Sequence, residues 1–176
     1  MAEALLVIDM TNDFVEPNGA LPVPGAVDII PGVQRAVEYF VEKGRVLFCN
    51  DSHNKNDLEF DEYPEHCVSG TYGAGISERF KLNFNPTVVE KVTFSAFSND
   101  LLDGILKSMD IHDLYICGVA TEVCIKQTVW SARDLGYKTH VLVDCIAGLD
   151  IKAGDSAEAL MMMGYWEADP VKAYGL

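Results

Sequence analysis

The sequence predicts an α/β protein: an open, mainly parallel sheet with helices packed on both faces, three layers in all. Three observations predict it. Short apolar runs rich in β-branched residues recur along the chain, nearly continuous in hydrophobicity as parallel strands covered on both sides should be. Longer amphipathic segments separate them. The two kinds alternate from the first run onward, and parallel strands joined through helices take right-handed crossovers. With 176 residues, 49% of them apolar, the chain is sized for one domain with a full core. No internal repeat and no Pro-, Gly- or Ser-rich linker divides it.

Leu5–Asp9 is the first strand. Pro31–Lys43 has the pattern of a helix that starts on proline and stops at Gly44, the usual start and stop pair. Strands follow at Arg45–Asn50 and Val88–Lys91. Ser98–Met109 opens with Ser-Asn-Asp, side chains that cap the free N–H groups of a first helical turn. Leu114–Val119 is the fourth strand and Thr139–Asp144 the fifth, with a helix over Glu122–Leu135 between them, ended by Gly136. Ser156–Met163 is a helix ended by Gly164, and Trp166–Ala168 forms a short sixth strand. The Met161–Met163 triplet is assigned to helix packing.

The formal charge of −14 comes with no basic cluster, which argues against nucleic-acid backbones and anionic membranes as partners. Five cysteines, at 49, 67, 117, 124 and 145, form no CxxC pair and match no zinc-knuckle spacing. The start, MAEALLVIDM, lacks the basic and long apolar regions of a signal peptide. No apolar run approaches the ~20 residues of a membrane span. A reduced cytoplasm without disulfides is the expected setting.

In open α/β sheets ligands bind outside the carboxyl ends of the strands. Asp9 ends the first strand, Asp51 follows the second, Lys91 ends the third, and Cys124 lies just beyond the fourth. Singly, each has an ordinary explanation: a turn aspartate, a solvated lysine, a cysteine packed as a small hydrophobe. Together they supply a nucleophile, a proton acceptor and a cation at one rim. Cys124 is expected in the first turn of its helix, where the dipole and the Lys91 ammonium favour thiolate. Asp9 can accept the thiol proton and return it to a leaving group. Free N–H groups at the helix start can hold an oxyanion.

A second cluster lies in DSHNKNDLEFDEYPEHC, residues 51–67, which holds two of the four histidines. Asp51, His53, Glu59 and His66 form the best ligand set, suited to zinc, manganese or iron(II). Loop acids and histidines are usually just solvated; the starting point of this loop at the same sheet edge is what singles it out. His112 and His140 have no such company.

These segments resemble the nicotinamidase branch of the isochorismatase-like cysteine hydrolases. DMTNDF (9–14) resembles the motif that carries the catalytic aspartate, KVTFSAF (91–97) the segment with the catalytic lysine, and GVATEVC (118–124) the nucleophile motif. The resemblance implies the strand order 3-2-1-4-5-6 and a catalytic set of Asp9, Lys91 and Cys124. It also implies a cis Val119–Ala120 peptide that aims the Ala120 N–H, beside that of Cys124, into an oxyanion hole. DSH with YPEHCVSGTYGA (63–74) is similar to the metal loop of nicotinamidases, implying a single divalent ion, zinc first, on Asp51, His53 and His66. Glu59 stands where many relatives have histidine. Phe14 and Tyr63 correspond to aromatic residues that flank the substrate ring, with Val119 and Ala120 beside it. Thr11 replaces a common glutamine, Tyr63 a common tryptophan, and the tail is short. The implied activity is hydrolysis of nicotinamide, or an analogue such as pyrazinamide, to the acid and ammonia, in NAD salvage by a homo-oligomer. Two alternatives stand beside it: a metal-free amidase for carbamoyl or ureido substrates, and a non-catalytic redox sensor built on Cys124.

Overall fold

In the computed structural model, which describes residues 2–173, six strands form one sheet in the order β3-β2-β1-β4-β5-β6. They are β1 (Ala2–Ile8), β2 (Val46–Asp51), β3 (Thr87–Lys91), β4 (Ile111–Val119), β5 (Lys138–Ala147) and β6 (Asp169–Val171), all pairing in parallel. The helices are α1 (Asn12–Val15), α2 (Ala26–Val41), α3 (Asp100–Ser108), α4 (Lys126–Asp134) and α5 (Asp155–Tyr165).

The apolar runs are buried on both faces, with the alternation a strand imposes. From β1, Leu5 and Val7 join a core with Val33, Val37, Phe40 and Phe48, beneath α2. Leu6 and Ile8 point the other way, into a core with Leu102, Leu106, Ile125, Val129 and Met163 from the α3, α4 and α5 side. Each large side chain so buried contributes about 1.5–3 kcal/mol of transfer free energy. Among the described residues no helix is long and apolar enough to cross a membrane.

Several expected boundaries move by a few residues, and three of the shifts have an identifiable cause. Helix α2 begins at Ala26 rather than Pro31, and Pro31 lies inside it. Ala26, Val33, Ala36, Val37 and Phe40 are buried at helical spacing, and that burial outweighs the hydrogen bond that the proline ring forgoes. Helix α5 runs through Gly164 to Tyr165. Trp166–Ala168 is therefore not strand: Glu167 adopts φ +61, Ala168 donates to the Met163 carbonyl at 3.0 Å, and the sixth strand starts three residues later than expected, at Asp169. Finally, α4 is preceded by a turn of π-helix at Thr121–Ile125, so Cys124 sits in that turn and not in regular α-helix.

Candidate active site

The sheet order reverses direction between β1 and β4, and the chain leaves both strands at this switch point, where a crevice opens. Asp9 follows β1 in a left-handed conformation, φ +52, which aspartate tolerates better than most residues. The turn directs its carboxylate along the sheet rim, where Oδ1 accepts the Asp51 N–H at 2.8 Å. Lys91, the last residue of β3, pairs in register with Asp51, the last of β2. Its Nζ lies 2.8 Å from Asp9 Oδ2, donates to Asp51 Oδ1, and reaches Cys124 Sγ at 3.7 Å. Ligand atoms of Asp9, Asp51 and Cys124 fall within 4.8 Å of one another. The four rim residues named by the sequence are thus one buried cluster.

Burial and charge compete at the sulfur. Burial pushes the Cys124 thiol well above its ordinary range, and the pull of Lys91 toward thiolate does not overcome it. At Cys124, burial thus opposes the thiolate while the Lys91 ammonium favours it. Burial, and then the Asp51 charge, raise Asp9 to about 7, against the pull of Lys91. Its carboxyl is poised to exchange a proton near neutrality. Burial works against the Lys91 ammonium, but Asp9, Cys124 and Asp51 hold it charged with its pKa raised well above normal.

The second cluster adjoins the first through Asp51. Asp51, His53 and His66 each present a ligand atom within 4.8 Å of the others, and all three are buried. His53 Nε2 lies 3.6 Å from Asp51 Oδ2 and has no hydrogen-bond partner although buried. An orphaned imidazole nitrogen facing a carboxylate is costly unless a cation fills the gap. The outer nitrogens are already held: His53 Nδ1 by Asp57 Oδ2 at 3.2 Å and His66 Nδ1 by the Pro64 carbonyl at 2.7 Å. That leaves both Nε2 atoms free to ligate, as outer partners do in metal sites. Burial alone would lower the His53 pKa, but Asp51 and Asp57 push it up to about 9, so the site calls for positive charge there. The residues fit a divalent ion. Glu59 stands at its edge, Oε1 3.7 Å from His66 Nε2.

Both clusters open on one pocket. Phe14, Tyr63, Ala120 and Cys124 line it, as do Leu21, Val23, Phe94, Val123 and Leu149. Val119 does not: its side chain is fully buried in the core, because it ends β4 and faces α2's side of the sheet. The Val119–Ala120 peptide is cis. Phe94 and Val123 fall within the motifs that carry Lys91 and Cys124, whereas Leu21, Val23 and Leu149 come from separate segments that carry no sequence signal. Asp57 was legible only as a residue four places after His53, a spacing used by many loop acids. Cys67 turns away from the metal cluster, its Sγ 3.3 Å from Thr11 Oγ1. His112 is exposed beside Asp110, and His140 pairs with Asp113 at 3.0 Å; both lie outside the site.

A doubly wound sheet whose switch point holds a Cys–Lys–Asp cluster beside an Asp–His–His cluster defines a class of hydrolytic site. The isochorismatase domain model matches residues 3–168, and the chain belongs to the isochorismatase family. It is 31% identical to the nicotinamidase of Escherichia coli, over 91% of this chain and 90% of that protein. It is 33% identical to an Arabidopsis thaliana protein described as a probable inactive nicotinamidase, over 82% and 80% of the two chains. The crystal structure of the pyrazinamidase of Pyrococcus horikoshii in complex with zinc superposes with a TM-score of 0.89 at 35% identity, covering 97% of this chain and 98% of that one.

Proposed function

We propose that this protein is a nicotinamidase, converting nicotinamide to nicotinate and ammonia in NAD salvage and accepting analogues such as pyrazinamide. The observation that carries the reading is the sharing of Asp51. One oxygen holds Lys91 of the nucleophile cluster, and the other faces His53 of the metal-type cluster. A metal-free amidase has no use for the second cluster, and a redox sensor none for Asp9 and Lys91.

Asp9 takes the Cys124 proton as the sulfur attacks the carboxamide carbon. Lys91 stabilises the charge that passes from sulfur to the carbonyl oxygen, which the N–H groups of Ala120 and Cys124 receive. Asp9 then delivers its proton to the departing nitrogen, releasing ammonia and leaving a thioester on Cys124. Water, deprotonated by Asp9, cleaves that thioester to nicotinate and restores the thiol. Phe14 and Tyr63 hold the ring in the apolar part of the pocket. A divalent ion on Asp51, His53 and His66, with Glu59 beside it, would supply a Lewis-acid anchor for the pyridine nitrogen, zinc suiting the donor set best and iron or manganese also matching it.

The experiment is ammonia release from nicotinamide by purified, metal-loaded protein, with Cys124→Ala as control. Wild type should turn over, and the variant should fall by at least about a thousandfold with its metal content unchanged. No ammonia from the loaded wild type rejects the reading. Turnover of a ureido or carbamoyl substrate that survives chelation supports the metal-free amidase instead. The likeness to a relative described as inactive makes this measurement, and not similarity, the deciding one.

A further inference from the structure

The turn that carries Cys124 is joined through one side chain to the loop 148–154, whose Leu149 lines the pocket, and to the first turn of α5 that follows it. Glu122 lies in the π-turn two residues before the nucleophile. Its Oε1 accepts the Asp150 N–H at 2.7 Å, and its Oε2 accepts the Ser156 hydroxyl at 3.2 Å. The loop backbone packs directly on this pair: a Cβ at Gly148 would lie 2.0 Å from Ser156 Oγ and 2.4 Å from Glu122 Oε2. Asp150 takes φ +45, and its own Oδ1 accepts the Ser156 N–H at 2.8 Å. Among the described residues, the side-chain hydrogen bonds between loop and turn both end on Glu122. Ile151 is 72% exposed, while Leu149 is half-buried and packs on the core beneath α2. Leu149 also lines the pocket together with Val123 and Cys124.

We infer that Glu122 is a positioning residue that latches this loop to the nucleophile turn, so that Leu149 forms a fixed wall and sets which ring-substituted carboxamides the pocket admits. The inference rests on the proposed carboxamide activity. Its physical basis is that a carboxylate taking one hydrogen bond from the loop and one from the start of the helix behind it fixes the loop in orientation, which apolar contact by itself does not. With the latch open, Leu149 can withdraw, and room appears for a methyl group that the closed wall excludes.

The test compares kcat/KM for nicotinamide with that for nicotinamides methylated on a ring carbon, in wild type, Glu122→Ala, Glu122→Gln, Leu149→Ala and the Glu122→Ala/Leu149→Ala double variant. Glu122→Ala should relax the ratio about tenfold for at least one methylated amide, the size of a one-methyl discrimination. Glu122→Gln keeps an acceptor for Asp150 and can pair with the Ser156 hydroxyl, so it should hold the wild-type ratio within about twofold. In the Leu149→Ala background, adding Glu122→Ala should change the ratio by less than about twofold, because both act on one wall. A purely structural role would lower the active fraction and leave the ratio untouched; that result, or effects that multiply, overturns the latch. Should Glu122→Ala not fold, Ser156→Ala removes one arm and must shift the ratio in the same direction, and no shift overturns the inference. If wild type releases no ammonia from nicotinamide, the functional reading has failed separately. The latch is then judged by Cys124 alkylation, whose rate should change several-fold in the alanine variant and return in the glutamine variant; an unchanged rate overturns it.

Discussion

Lys91 is 2% exposed and meets Asp9 and Asp51 before it reaches Cys124 at 3.7 Å. Its ammonium is the charge that makes two buried carboxylates tolerable, and it draws the Cys124 thiol downward against the effect of burial. Replacing it with methionine keeps the stem and removes the charge. Lys91→Met should slow alkylation of Cys124 by roughly tenfold or more near neutral pH, since one pKa unit is a tenfold change in thiolate. Ammonia release should fall at least as far. Unchanged alkylation kinetics would show that Lys91 does not tune the sulfur. At this scale the residue identities were legible in the sequence, because motif and strand-end position are local properties. The protonation state of Cys124 was not, because the cost of burying its charge depends on groups from three other strands.

Two elements carry the site and can be tested apart. The first is the end of β4, where Gly118 takes φ +113 and a Cβ would lie 2.0 Å from the Ile8 carbonyl oxygen. The pairing of β4 with β5 changes register at the same place. Gly118→Ala therefore meets backbone on one side and a disfavoured φ on the other. It should cost at least about 2–3 kcal/mol, read as a lowered urea midpoint; a loss below ~0.5 kcal/mol would contradict the close approach. The second element is the loop of residues 51–67. A parallel bridge between His53 and Val68 pins its two ends, with His53 N–H on the Cys67 carbonyl at 2.9 Å and Cys67 N–H on Asp13 Oδ2 at 2.7 Å. Removing His53 and His66 together should strip the ion while leaving Cys124 open to alkylation. Wild type should prefer nicotinamide to benzamide, which lacks the ring nitrogen, and the double variant should lose that preference. A double variant that keeps both its metal and its preference would remove these histidines from the ligand set. The loop's role was visible as a run of acids and histidines, whereas its anchoring by Asp13 was not, since that contact joins residues 54 apart in the chain.

Over the whole molecule, the two clusters make stability depend on pH in a predictable sense. The folded pKa of His53 is raised from 6.5 to about 9. Its contribution is therefore complete below 6.5 and lost as pH rises through about 9. Asp9 is raised from 3.8 to about 7, and what it contributes when protonated is likewise lost as pH rises through about 7. In both windows the folded state binds more protons than the unfolded state, so stability falls with rising pH. Chelated protein should show a urea midpoint that drops between pH 6 and pH 8.5. A divalent ion held by His53 would take the place of its proton, so loaded protein should start higher and fall less steeply. Parallel slopes with and without metal would separate His53 from the ion.

The alternation of apolar runs and amphipathic segments determined the α/β class, and the chemistry at the ends of four strands determined where the site would lie. Both follow from repeats of two and of about 3.6 residues and from the rule that strand carboxyl ends face the crevice; neither needs knowledge of a distant neighbour. Tertiary structure alone decided that α2 continues through Pro31, that Val119 faces the core, that burial opposes charge on Cys124, and that Glu122 and Asp13 hold parts of the site in place. Each of these is an outcome of competition between burial, hydrogen bonding and charge among residues far apart in the chain. A local pattern contains no record of which neighbour wins.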